Sequence, residues 1–297
     1  MISAKEQAAV LALAKLTAGS PGPASRLIQA SGSALRLMDG DVVGLRKERR
    51  AYAADLLSRL GPGDLARAQE ALDAGHSAGA RLVTVLEPEY PVNLAAVHNL
   101  PPFLWVRGEL RPREYHAIAI AGQEPRSIPL ARRAAIALAH AGITVVAGSA
   151  CDLDLAVHEA ALAAGGRTLS VLDHGIGVPA RDEGLAARIA QAGAVVSSCW
   201  PGDEVSAETT LRAAVLTSGL AVDVFLVDGQ DGSRPAAQGR IALNHGKNLL
   251  VPHRLHREQP WLRRLARRGG VSVVADIDEL LSQAVNSISV LRILMKR

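Results

Sequence analysis

Aromatic residues are scarce: two Phe, three Tyr and three Trp make up 3% of 297 residues. A protein that grips single strands chiefly by stacking their bases carries more. Cysteine is nearly absent. Two thiols exclude a disulfide framework and a four-cysteine zinc site, and they fit a reducing, cytoplasmic setting. No uncharged run reaches the roughly 18–20 apolar residues that span a bilayer, so no membrane partner is expected. A strong excess of one charge is lacking too. Lys plus Arg is 33 and Asp plus Glu is 29, giving +4, which permits an anionic partner without demanding one. What is present, 48% hydrophobic and 21% charged residues, excludes a disordered chain. The length admits one large domain or two modest ones. The opening MISAKEQAAVLALAKL carries Glu6 and no small-residue cleavage site, and reads as a helix rather than a signal peptide.

From residue 1 to about 80 the pattern is helical, with breaks at Gly19-Ser20-Pro21-Gly22-Pro23, at Gly40 and at Gly61-Pro62-Gly63. Asp64 is placed to cap the helix after the last break. Beyond Ala80 the period changes. Short β-branched runs predict strands at 81–86 and 103–107, separated by Glu87-Pro88-Glu89-Tyr90-Pro91. Strand and helix patterns then alternate. Strands are predicted at 116–122, 142–147, 167–172, 194–198, 221–227 and 248–251, and helices at 130–141, 153–164, 183–192, 209–218 and 236–244. An apolar strand, a glycine and an amphipathic helix, repeated, mark a parallel sheet covered on both faces.

In such a sheet the ligand crevice lies outside the carboxyl ends of the strands. Four stretches fall there: 122–127, 148–154, 173–177 and 228–234. Glycine lets backbone amides approach a phosphate, and the following helix points its positive end at it. Gly122-Gln123-Glu124-Pro125-Arg126-Ser127 and Gly232-Ser233-Arg234 suit this role, although neither is a GxGxxG or a Walker loop.

The order of motifs resembles the DNA-processing protein A (DprA/Smf) family. RLVTVLEPEYPVNLAAVHNLPPFLWVRGEL (81–110) is similar to the family's strand, "D-P-x-Y-P-x-x-L" and "P-P-x-L-x-x-x-G" sequence, through Glu87 to Pro91, Leu94, Pro101-Pro102, Leu104 and Gly108. AIAIAGQEPRS stands where the family has its "V-G-S-R" loop. VVAGSACDLDLAVHEAAL resembles "S-G-x-A-x-G-I-D-x-x-A-H-x-x-A-L", with Gly148, Ala150, Asp154, His158, Ala161 and Leu162 matching. GGRTLSVLDHGIGVP and GGVSVVADIDELL resemble later family segments, and LTAGSPGPASRLI resembles a helix-hairpin-helix turn. The resemblance implies an extended Rossmann-like, doubly wound parallel sheet (81–281) after a small all-helical, SAM- or helix-hairpin-helix-like domain (1–80), with 282–297 as a tail. It implies a homodimer that binds single-stranded DNA in a basic pocket and hands it to a RecA-type recombinase in recombination or natural transformation. No catalysis, cofactor or metal is implied.

Departures from the family concentrate at the pocket. Glu124 stands where the "G-S-R" arginine belongs, turning a phosphate partner into a repeller. Cys151-Asp152 replaces a basic and a glycine position. Near the family's "R-N-R" triplet only Arg212 is basic, beside Ala213, Ala214 and Val215. The residues expected to contact phosphate are therefore Arg126, Ser127, Arg212, Ser233, Arg234 and Arg240. Gly122, Gly148 and Gly232 are expected to give backbone access.

Other features have more than one reading. Cys151 and His158 near a helix start suggest a nucleophile and base, but hydrogen bonding that fixes the loop and helix is preferred. His253 and His256 lack partners in a known metal spacing and are read as solvated. Arg254, Arg257, Arg263, Arg264, Arg267 and Arg268 face one Glu258 and form the strongest basic patch, either a solvated face or a surface for phosphates or an acidic protein. Trp261 within it can stack a base or fill the core. Arg46-Lys47-Glu48-Arg49-Arg50 is a second cluster. The apolar tail residues Ile288, Val290, Leu291, Ile293 and Leu294 suit a sheet edge or a dimer interface. The sixteen residues after Leu281 are too few for a winged helix. The alternative functions are a Rossmann-type nucleotide-binding sensor, a phosphoribohydrolase-like enzyme, or a dimerising scaffold that has lost DNA binding. The glycine-rich "G-G-G-x-G-T-x-x-E" pattern of the enzymes is not found, and the nearest stretch, GQDGSRPAAQGR, lacks the glutamate.

Overall fold

Helices begin where the chain supplies an oxygen for their free N–H groups. Ser3 Oγ accepts from Glu6 N at 3.2 Å and opens α1 (Ala4–Lys15). The structure, a computed structural model, describes residues 2–17, 19–111 and 114–294. Ala18, inside the expected hairpin turn, lies outside the described residues. After α1 come α2 (Pro21–Ser31), α3 (Ala34–Met38), α4 (Lys47–Ser58) and α5 (Asp64–Ser77). Proline opens α2 because its missing N–H is unneeded there. Asp64 is not the cap residue that the sequence suggests. It is the first residue of α5, Gly63 takes the cap position at φ +90°, and the Asp64 carboxylate accepts from Gly61 N at 2.7 Å.

The remaining elements run β1 (Arg81–Thr84), α6 (Val92–Ala95), β2 (Phe103–Gly108), β3 (Ala117–Ala121), α7 (Ile128–His140), β4 (Thr144–Ala147), α8 (Asp152–Ala163), β5 (Thr168–Val171), α9 (Glu183–Ala192), β6 (Ala194–Ser197), α10 (Ala207–Leu220), β7 (Asp223–Leu226), α11 (Arg234–Asn244), β8 (Asn248–Pro252), α12 (His253–Glu258), α13 (Pro260–Ala266), β9 (Val271–Val274) and α14 (Ile277–Leu294). They form one sheet of order β1-β2-β6-β5-β4-β3-β7-β8-β9. From β6 to β9 every pairing is parallel. Strand β2 departs from the all-parallel expectation. It lies antiparallel to both β1 and β6, with Val106 opposite Val196.

Successive side chains of one strand enter different cores, which is why the strands are apolar throughout. Ile118, Ile120, Phe225 and Leu250 join α7, α8 and α14 on one face. Ala119, Ala121, Val224, Leu226, Leu249 and Val251 join α10, α11 and α13 on the other. The N-terminal helices share that second core. Gln7 Nε2 donates to Leu82 O at 3.0 Å, and Ser25 Oγ donates to Leu100 O at 2.9 Å, so polar bonds also tie them to the sheet segment. Gly75 of α5 rests on the buried Trp105 ring, where an added Cβ would stand 2.1 Å from a ring carbon.

Residues 282–294 belong to α14. They continue the helix without a break, burying Ala284 and Ile288 beside Leu280 against α7 and the edge strand β9. Val285, Val290 and Ile293 remain exposed, and residues 295–297 lie outside the described residues.

Candidate nucleic-acid interface

The strand after β3 in the chain, β4, lies on one side of it, while β7 lies on the other. The connections thus diverge between β3 and β7, where a doubly wound sheet opens its crevice. Loop 122–127 leaves β3 there, loop 228–234 leaves β7, and loop 148–151 leaves β4. Gly122, Gly148, Cys151, Asp154, Ala213, Ala214 and Arg234 are among the residues that line the resulting crevice. Its volume is about 50 Å³, against the roughly 300 Å³ or more of an ordinary small-molecule site.

The crevice is small because the chain fills its own anion positions. The buried Asp228 carboxylate accepts from Gln123 N at 3.0 Å and from Glu124 N at 3.1 Å. Asp154, buried at the start of α8, accepts from Ala150 N at 3.0 Å and from Cys151 N at 3.2 Å. The Gln123 and Glu124 amides belong to a loop expected to cradle a phosphate. The glycines follow the same logic: a Cβ on Gly122 would stand 2.8 Å from Asp228 Oδ2, and one on Gly148 2.9 Å from Asp154 Oδ2. Both glycines leave room for an internal carboxylate beside the loop. Gly232 differs. At φ +82°, with no atom within 4 Å of a built Cβ, it turns an open loop.

Each expected arginine has a carboxylate partner. Arg126 pairs with Glu124, so Glu124 masks a cation rather than standing alone in the pocket. Arg234 lies 3.7 Å from the buried Asp173. Arg240 pairs with Asp231 and stacks 4.5 Å over the Trp261 ring. Arg212 pairs with Glu208 at 2.6 Å and faces a separate cleft of about 360 Å³, between α10 and the turn before α2, together with Trp200, Phe103 and Leu211. Arg212 and Arg234 thus line different cavities. Ser127 precedes α7 without a side-chain cap bond, and Ser233 Oγ accepts from Ala236 N at 3.3 Å. Asp152 is also misplaced by sequence reasoning. It is exposed, outside the crevice, and holds Arg181 at 2.5 Å.

The Cys151–His158 pair is not arranged for nucleophilic chemistry. Burial, reinforced by Asp154, pushes the Cys151 thiol up to about 11. His158 is buried and its pKa is lowered by desolvation. Its Nε2 donates to Gly148 O at 2.8 Å while Nδ1 meets Thr168 Oγ1 at 2.7 Å. Both ring nitrogens are spent tying α8 to β5 and to the β4 loop. Trp261 is buried, its Nε1 donating to Gly229 O at 3.0 Å, so it offers no face to a base. Sequence reasoning missed Asp228 and Asp173 as partners. Each is an acidic residue ending an apolar strand run inside a predicted ligand loop, and that position was the available sign. Among the described residues no group of three His, Cys, Asp or Glu is placed to hold a metal, and no helix is long and apolar enough to cross a membrane.

A nine-stranded, mostly parallel, doubly wound sheet with a loop-lined crevice at its switch point defines an extended Rossmann-like protein. A sequence model of the family described as DNA recombination-mediator protein A matches residues 81–285, and the chain belongs to that family. It is 30% identical over 168 residues to Protein Smf of Escherichia coli, covering 54% of this chain and 45% of that one. It is 28% identical over 172 residues to the DNA processing protein DprA of Streptococcus pneumoniae, covering 57% and 61%. The chain spans about half the length of the curated relatives it matches. Its fold is similar to the X-ray structure of DprA from Streptococcus pneumoniae, with TM-score 0.69, 18% identity, and coverage of 95% of this chain and 98% of the other. A DprA structure from Helicobacter pylori, described by its single-stranded DNA binding mode, matches with TM-score 0.59 and 19% identity over 70% of this chain and 98% of the other.

Proposed function

We propose that the chain is a single-stranded DNA-binding protein of DNA recombination or natural transformation, acting in the cytoplasm without catalysis. In this reading it works as a homodimer and delivers the strand to a RecA-type recombinase. Residues 81–281 carry the DNA face and residues 1–80 serve as an accessory helical module. One observation carries the reading: in a member of this family, Arg126, Arg234 and Arg240 gather with further arginines around the carboxyl ends of β3 and β7. Arg126, Arg234 and Arg240 exchange their carboxylate partners for phosphates, while Ser127, Ser233 and the Gly232 turn lie beside the strand. Arg212, which lines the other cavity, contributes only where the strand crosses α10. The competition with Glu124, Asp173 and Asp231 makes binding weak and strongly dependent on salt. The filled amides and the 50 Å³ volume speak against a mononucleotide at the switch-point crevice. The raised thiol and the fully engaged His158 speak against a hydrolase.

The test is fluorescence anisotropy of the protein with a labelled dT30 oligonucleotide between 20 and 200 mM salt, on the order of magnitude where phosphate contacts respond. The expected result is saturable binding that falls steeply with salt. Absence of binding at the lowest salt refutes the reading.

A further inference from the structure

The crevice has filled its own anion positions, yet the most basic segment of the chain stands at its edge. Residues 254–268 hold six arginines, one glutamate and no lysine. Leu255, Trp261 and Leu262 anchor α12 and α13 in the core, and all six arginines are exposed. The placement of these helices is set by specific bonds. Trp261 Nε1 holds Gly229 O at 3.0 Å, pinning α13 to the loop after β7. Arg264 reaches Asp231 of the same loop at 3.8 Å. On the other side, Glu258 at the end of α12 is close enough to Arg126, in the loop after β3, for each to feel the other's charge. The two short helices therefore rim the mouth of the crevice.

Their cations are less neutralised than Arg126, Arg234 and Arg240. Arg254 has Glu258 at 2.8 Å, and Arg263 is drawn onto the Arg257 carbonyl. Arg257, Arg267 and Arg268 have no carboxylate within ion-pair distance among the described residues. By contrast, Arg234 in the crevice and Arg126 and Arg240 near its loops are each matched by an acidic residue.

We propose that the α12–α13 arginine rim is the main docking surface for the sugar-phosphate backbone of single-stranded nucleic acid, with the carboxylate-paired Arg126, Arg234 and Arg240 in a lesser role. This rests on the DNA-binding reading above and says where that strand lies. Dispersed cations suit an extended polyanion, whereas the crevice beside them, at about 50 Å³, leaves little room for a small anion. The exclusive use of arginine favours phosphate, since a guanidinium fork grips two phosphate oxygens where an ammonium makes a point contact. The buried Trp261 supplies rigidity to the rim, and the scarcity of exposed aromatics means the strand is held by its backbone and not by its bases.

The experiment compares three proteins on labelled dT30 across a salt series. One is wild type. The second is R257A/R267A/R268A, which removes the unpaired rim cations and leaves the Arg254 and Arg263 bonds in place. The third is K5A/R133A/R188A, which removes the same charge from exposed sites on α1, α7 and α9. Each lost phosphate contact flattens the slope of log affinity against log salt by about 0.7, so the rim variant should lose about 2 and bind at least ~10-fold more weakly at low salt. The dispersed variant should stay within about threefold of wild type. Equal weakening of both variants, or none in the rim variant, overturns the rim while leaving DNA binding intact. A wild type that ignores dT30 but binds labelled polyglutamate overturns both readings in favour of an acidic protein partner.

Discussion

If Asp228 stands in for a bound anion, removing it should unmask an anion site. The perturbation is Asp228→Ala. In the native protein the carboxylate is buried and receives Gln123 N at 3.0 Å and Glu124 N at 3.1 Å. Hydrogen bonds to a charged group are worth about 1.5–3 kcal/mol each, and part of that returns because Gln123 is exposed and water can reach its amide. A net loss of about 2 kcal/mol follows, or roughly 3 °C in melting temperature for a chain of this size. The two freed amides then point into the crevice beside Gly122 and form a site for phosphate. With a dissociation constant on the order of 1 mM, about 100 mM phosphate would restore about 2.7 kcal/mol. The assay is thermal unfolding of wild type and variant in phosphate and in chloride at matched ionic strength. Phosphate also stabilises proteins in general, so the quantity that matters is the difference in response between the two proteins. The reasoning fails if the variant unfolds within about 0.5 kcal/mol of wild type, or if both gain equally from phosphate.

Three further outcomes follow from the structure. His245 bonds Ser218 and Asn99, and burial, with His98 and Lys247 nearby, lowers its pKa to about 4 from an ordinary 6.5. Because the folded state prefers it neutral, stability holds above pH 6.5 and is lost as pH falls toward 4; allowing for its partial exposure this is about 1–2 kcal/mol, and urea titrations of His245→Gln should show a flatter acid limb. The thiols of Cys151 and Cys199 are both pushed up to about 11 by burial, so a disulfide reagent at pH 8 should modify the native protein about a hundredfold more slowly than free cysteine, and at the free rate once urea unfolds it; fast native labelling of Cys151 would contradict its geometry. Gly148→Ala should cost about 1–3 kcal/mol, because its Cβ would displace Asp154 from the Ala150 and Cys151 amides, and an unchanged denaturation midpoint would show that the loop yields freely.

Much of this protein is written locally. Alternating apolar runs and helical periods place β3 to β8 and their helices to within a few residues, because burial on two faces of a sheet leaves a pattern that no long-range information is needed to see. The motif order from Arg81 onward carries the family, and glycines at strand ends mark the loops of the crevice. The elements least legible were β9, α12 and α13, whose short or charged segments have weak periods, and α14, whose second half reads as a loose tail until α7 and β9 are present to receive Ala284 and Ile288.

Tertiary structure decided what the loops do. Asp228 and Gln123 are 105 residues apart, Asp152 and Arg181 are 29 apart, and Arg234 and Asp173 are joined only by the order of the strands. Whether an arginine is free, whether an acidic residue repels a ligand or replaces one, and on which side of α10 Arg212 emerges all depend on such pairings. Residue type and spacing along the chain determine which groups exist near a strand end. Electrostatic partnership depends on separation in space, and only the folded sheet sets that.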